Sequence, residues 1–251
     1  KIKNKYKNVD LIFARNVIPH VKNIHSVVKG ISNLANDESI VAIEFHYSKD
    51  ILNELQYDSI YHEHLFYFTI KTISNLFSKY NLYPFDVFSS PISGGSLVLI
   101  FSKKKLKKKI LLKKMEQDEE KNNLNKITKW KIFAKKSKIH AQKFKLDILT
   151  SYKANGKLFG YGASARSSTL LNYCKLSNKH IDFIIDQNPL KQNLYTPGTN
   201  IPIQSIKDVS KNLVNKNMVL LAWNFKDEIV KIMKNINFKN KIILPIKKKW
   251  K

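Results

Sequence analysis

The sequence predicts an α/β protein in which two strand–helix regions are joined by a lysine-rich helical connector. Three observations predict it. Apolar runs of strand length alternate with segments of helical spacing over residues 9–104. The same alternation resumes at Gly156, and strands alternating with helices imply a parallel sheet. Between them, residues 103–150 carry lysine runs and scattered apolar positions with no glycine or proline, the pattern of one or two long amphipathic helices. The expected division is 1–104, 105–155 and 156–251.

In order, Val9-Asp10-Leu11-Ile12-Phe13-Ala14 reads as a strand, and Ile24, Val27, Val28, Ile31 and Leu34 give Asn23–Leu34 the spacing of a helix. Ser39–Phe45 is a second buried strand. Residues 48–80 read as helical on both sides of Tyr61-His62-Glu63-His64, with Ile70, Ile73, Leu76 and Phe77 on one face. Phe85–Ser89 and Ser96–Ser102 form a strand pair joined across Pro91-Ile92-Ser93-Gly94-Gly95, which has turn chemistry. In the second region the expected strands are Lys157–Tyr161, Ile181–Asp186, Met218–Ala222 and Lys241–Ile246. The expected helices there are Ala165–Cys174 and Phe225–Ile236.

Composition narrows the function classes. At 251 residues, with 43% hydrophobic and 11% aromatic content, the chain can bury a core and is not of the disordered class. The single cysteine, Cys174, excludes an internal disulfide framework and points to a reducing, cytoplasmic compartment. No apolar run approaches the ~20 residues of a membrane span, and no signal-peptide pattern is present. A net charge of +26 attracts anions, yet arginine occurs only at Arg15 and Arg166. Base readers rely on the arginine fork, so no specific nucleic-acid partner is expected. The lysine excess, alongside asparagine and isoleucine, reads as the coding bias of an A- and T-rich genome.

Proton-transfer chemistry is sought at Tyr61-His62-Glu63-His64, where a phenol, two imidazoles and a carboxylate stand among Ile60, Leu65, Phe66, Tyr67 and Phe68. Placed on a helix, Tyr61 and His64 share a face, where they can handle a carbon-bound proton and the oxyanion its removal creates. Glu63 can orient or charge-tune one histidine. The bland alternative is the polar side of an amphipathic helix. A metal site is not expected, because His-Glu-His lacks the i,i+4 histidine pair of zinc-binding helices. His20 follows a strand end, where doubly wound sheets place ligands.

The second region carries Gly160-Tyr161-Gly162-Ala163-Ser164-Ala165 between strand and helix, a turn that can aim a helix N-terminus at phosphate. Asp186 ends the next strand, where an acid can reach a ribose hydroxyl. Arg166 and Lys191 are candidate phosphate partners, with ordinary surface charge as the alternative.

These blocks occur in a recognisable order. Asn16-Val-x-x-His20, Tyr57-Asp-x-Ile-Tyr-His-Glu-His64, Gly94-Gly-Ser-Leu97, Gly160-Tyr-Gly-Ala163, Asp186-x-Asn-Pro-x-Lys-Gln192 and Tyr195-x-Pro-Gly-Thr199 resemble the nucleotide-sugar C-methyltransferases of deoxysugar biosynthesis. The resemblance spans residues 9–203. It implies the C-terminal part of a Rossmann-like methyltransferase domain, a helical connector, and a second Rossmann-like α/β domain that binds the nucleotide-sugar. It further implies S-adenosylmethionine as cofactor and a nucleotide-diphosphate ketosugar as substrate. His64 would be the base, Tyr61 the group stabilising the keto oxygen, and Glu63 and His20 their assistants. Gly160, Gly162, Ala163, Arg166, Asp186 and Lys191 would form the substrate-binding set.

The family's cysteine-rich zinc domain and the first strand and glycine-rich turn of its methyl-donor site have no counterpart here. Zinc is therefore expected only in that N-terminal domain, and the chain reads as a domain entered partway through. Ser164 and Ser167 stand where proline and glycine are usual in the family, and Ser93 and Val98 replace a histidine and an arginine. Two other readings compete: a nucleotide-sugar-binding module without catalysis, and a nicotinamide-dependent oxidoreductase resting on the G-x-G-x-x-A turn and Asp186.

Overall fold

The computed structural model describes residues 9–213 and 215–246; the opening residues Lys1 to Asn8 lie outside them. The chain divides into two compact units, residues 1–53 with 62–133, and residues 54–61 with 134–251.

The first unit is built on a four-stranded mixed sheet. Its strands are β1 (Leu11–Arg15), β2 (Ile40–His46), β3 (Tyr83–Ser90) and β4 (Ser96–Ser102), in the order β1-β2-β4-β3. β1 and β2 run parallel, with Leu11 opposite Ile40, while β4 is antiparallel to both of its neighbours. The helices are α1 (Ile24–Leu34), α2 (Ser48–Asn53), α3 (Ile70–Ser78) and α4 (Ile110–Lys121). Ile24, Val28 and Ile31 of α1 and Ile70, Ile73 and Phe77 of α3 are buried in one core with Val41, Ile43, Phe45, Leu97, Leu99 and Phe101 of the sheet. Phe77 and Phe101 stack with centroids 4.5 Å apart, a contact worth about 0.5–1.5 kcal/mol beyond the area it buries.

The segment carrying Tyr61-His62-Glu63-His64 is not helical, contrary to the shared-face arrangement expected from spacing. A 3-10 turn, Tyr57–Ser59, ends at Ile60 in extended conformation, and α3 starts only at Ile70. Two contacts decide this. The amides of Leu65 and Phe66 donate to Pro19 O at 2.9 and 3.3 Å, so they are unavailable to an intrahelical ladder. Thr69 then caps α3 reciprocally with Thr72, fixing the helix start.

The long helix α5 (Ile127–Asn155) leads to a five-stranded, all-parallel sheet. Its strands are β5 (Leu158–Tyr161), β6 (Ile181–Ile185), β7 (Ile203–Gln204), β8 (Met218–Leu220) and β9 (Ile242–Ile243), ordered β7-β6-β5-β8-β9. The helices are α6 (Ala165–Tyr173), the single turn α7 (Ile206–Val209) and α8 (Lys226–Asn235). Phe159, Tyr161, Phe183, Ile185, Met218, Leu220, Ile229 and Met233 form its core. The last strand is shorter than the expected Lys241–Ile246 because Pro245, lacking an N–H, cannot extend the ladder. β7 is too short to announce itself in the sequence.

Candidate active site

In the first unit the polar side chains gather beyond the carboxyl ends of β1 and β2, the edge where open α/β sheets bind ligands. Asn16, the residue after β1, adopts a left-handed backbone (φ 52°). Its amide donates to Glu44 O at 3.0 Å. Its Oδ1 is buried and has no hydrogen-bond partner. The chain then makes a 3-10 turn, Ile18–His20, with Pro19 in its first positions.

Pro19 O is the acceptor that captures Leu65 and Phe66, and this capture brings His64 against His20. The two imidazoles meet edge-to-face with centroids 4.7 Å apart. The Tyr67 ring also lies edge-on to His64, centroids 6.1 Å apart. Two of the residues expected from the sequence are therefore joined. Glu63 instead approaches His62, with Oε1 3.9 Å from Nε2, and His62 is 87% exposed.

Sequence reasoning missed Tyr67 and a buried acid at the same sheet edge. Glu44 is only 2% exposed; it pairs with Arg15 at 3.1 Å and accepts from Ser90 Oγ at 3.1 Å. The available signal was its position as the lone acid in the apolar strand Ile40–His46.

In the second unit Tyr61 follows the 3-10 turn, and the G-x-G-x-x-A turn links β5 to α6. The two glycines answer to packing. A Cβ on Gly160 would sit 2.8 Å from Ile184 Cγ1, and one on Gly162 (φ 95°) 2.4 Å from Ala222 Cβ. Ala163 N donates to Asp186 Oδ2 at 2.7 Å, while Oδ1 accepts from Asn188 N at 2.9 Å. Both carboxylate oxygens that a ribose would use are engaged inside the fold. Lys191 Nζ donates to Ala163 O at 2.8 Å, and Gln192 Nε2 to Asp186 O at 2.9 Å. The block Asp186–Gln192 is thereby a brace for the glycine turn.

Ser164 and Ser167 cap α6 reciprocally. The Arg166 guanidinium, expected to hold phosphate, is bound to Asp58.

Behind the 3-10 turn, the Tyr57 hydroxyl lies 3.1 Å from His140 Nδ1 and 3.6 Å from Cys174 Sγ. Burial pushes the Tyr57 phenol up, with the neighbouring Cys174 adding to the effect. It also raises the Cys174 thiol to about 11 and pushes the His140 imidazole down.

An α/β first unit with a histidine pair at the carboxyl ends of its parallel strands is followed by a parallel α/β unit, and both regions match methyltransferase families. Residues 1–86 match the family described as "Methyltransferase domain", and residues 91–246 match "C-methyltransferase C-terminal domain". The chain belongs to this C-methyltransferase family. It is similar to "C-methyltransferase NovU" of Streptomyces niveus, at 29% identity over 224 residues, covering 88% of this chain and 53% of that protein. The chain spans about half the length of the curated relative it matches. No helix among the described residues is long and apolar enough to cross a membrane.

The methyltransferase match implies S-adenosylmethionine. The described residues fit part of such a group, since Asn16 Oδ1 is an orphaned buried acceptor at the carboxyl end of β1.

Proposed function

We propose that this chain is the substrate-handling part of an S-adenosylmethionine-dependent C-methyltransferase. Its substrate would be a nucleotide-linked 4-ketosugar, methylated on the ring carbon next to the keto group. The observation that carries the reading is the His20–His64 pair, 4.7 Å apart, in a chain of the C-methyltransferase family.

A keto group acidifies the hydrogen on the adjacent carbon, so the protein needs a base and a donor for the developing oxyanion. His64 is the base, taking the carbon-bound proton on an imidazole nitrogen. His20, packed edge-on, holds the ring in place. Tyr61 donates its hydroxyl to the enolate oxygen. Glu63 steadies His62 at the rim. Asn16 would offer Oδ1 to an N–H of the methyl donor, which when bound supplies the electrophilic methyl group.

The sugar's diphosphate is assigned to the α6 N-terminus. There the first turn of α6 and Lys191, whose side chain is 40% exposed and whose ammonium lies 3.8 Å from Asp186 Oδ2, stand beside Gly160, Gly162 and Ala163. Asp186, the ribose partner of the nicotinamide reading, already accepts one amide on each oxygen from within the fold.

Proton removal can be measured without methyl transfer. In D2O the chain should wash deuterium into the carbon next to the keto group of a thymidine-diphosphate 4-keto-6-deoxyhexose. The rate should saturate with substrate and be inhibited by thymidine diphosphate. A rate equal to the buffer rate would refute the assignment and leave a binding module without catalysis.

A further inference from the structure

A buried charge cluster anchors the segment that leads into Tyr61, and the chemistry above leaves it unused. Asp58, in the 3-10 turn Tyr57–Ser59, has a side chain only 1% exposed. Its carboxylate accepts from Arg166 Nε and Nη2, each at 3.0 Å, and from Trp223 Nε1 at 2.8 Å. The guanidinium lies over the Trp223 ring, 4.6 Å from its centroid. Gln56 Oε1, on a fully buried residue, accepts from Arg166 Nη2 at 3.4 Å. All of these residues belong to the second unit.

The fork of an arginine matches a carboxylate in two parallel bonds, which fixes orientation as well as distance. Arg166 is the second residue of α6, and Trp223 begins the 3-10 turn after β8. Asp58 is therefore tied to two elements of the parallel sheet's own framework. A three-residue 3-10 turn holds itself poorly, and Ile60 after it is extended. The place of Tyr61 is accordingly set by the side-chain anchors around it.

We infer that Asp58 is a positioning residue, and that the Asp58–Arg166–Trp223 clamp fixes where Tyr61 stands. The role given to Tyr61 rests on the proposed function. The clamp also removes Arg166 from the anion-binding set, because its charge is answered by Asp58. Diphosphate is then left to the α6 amides and Lys191.

The test uses the full chain with Asp58→Asn, Arg166→Lys and Trp223→Phe, each kept at a temperature where circular dichroism shows it folded. Amide exchange should rise at least tenfold across residues 57–61 in the Asp58 and Arg166 variants, and less in Trp223→Phe. Peptides from β2 and β5 should stay within twofold. The Tyr61 ring resonances should move, and deuterium wash-in should slow at least tenfold while thymidine diphosphate affinity holds within threefold.

Unchanged exchange across 57–61 in both Arg166→Lys and Trp223→Phe would overturn the clamp, and these two variants decide the matter if Asp58→Asn does not fold. A tenfold loss of diphosphate affinity in Arg166→Lys but not in Asp58→Asn would overturn it too, making Arg166 an anion ligand. If the unaltered chain binds no diphosphate yet the exchange pattern appears, the proposed function fails and the clamp stands.

Discussion

Glu44 and Asp58 are each buried and each paired with one of the chain's two arginines, Arg15 and Arg166. A charge taken out of water persists only when paired and hydrogen-bonded, and both acids gain further donors, Ser90 for one and Trp223 for the other. Neither pairing could be read from the sequence, because the partners lie far apart along the chain. Arg166 was legible as a residue at the head of a helix, and its partner was not. At Cys174 the environment sets the reactivity: burial raises the thiol to about 11, against ~8.5 for a free thiol. Iodoacetamide at pH 8 should therefore label the native chain about 100-fold more slowly than the urea-unfolded chain, since the thiolate is the reacting form. Equal rates in mass-spectrometric time courses would contradict the buried placement.

At the scale of elements, the strands and long helices followed from hydrophobic period, because each buries one recognisable face. What period could not show was the local structure of Tyr61–His64. That depends on a carbonyl at Pro19, more than forty residues earlier, which takes two amides a helix would have used. The same capture joins His20 to His64, so the site became visible only with the tertiary fold. α5 adds a pH dependence through His140, which bonds the Tyr57 hydroxyl. Burial holds this imidazole below its ordinary value of about 6.5. Between the folded and unfolded values the unfolded state binds more protons, so its contribution to stability is present above pH ~6.5 and lost as pH falls through that window. Thermal midpoints of the unaltered chain should therefore drop more steeply from pH 7 to pH 5 than those of His140→Gln. Parallel curves would contradict the burial of a neutral His140.

At the scale of the whole molecule, a net charge of +26 is carried almost entirely by lysine. Both arginines, the residues best suited to reading bases or phosphates bidentately, are turned to acids of the fold. The charge is therefore a diffuse field, suited to drawing in an anionic nucleotide, and its effect on association should fade with salt. The proposed chemistry is assigned to the carboxyl edge of the first sheet and the head of α6. The motifs in Asn16–His20, Tyr57–His64 and Asp186–Gln192 suggested that assignment in outline. The division of tasks within it was less legible, because Asp186 and Lys191 also brace the turn they were expected to serve.

The central claim is that His64 is the base that removes the proton next to the sugar's keto group. Deuterium wash-in measured side by side for His62→Asn and His64→Asn tests it most directly, because the two changes are chemically identical and two residues apart. With His62 exposed at the rim and His64 packed on His20, the first should keep its rate within about threefold. The second should lose about 10²–10⁴-fold, the range of general-base catalysis. Equal rates for the two variants would contradict the account.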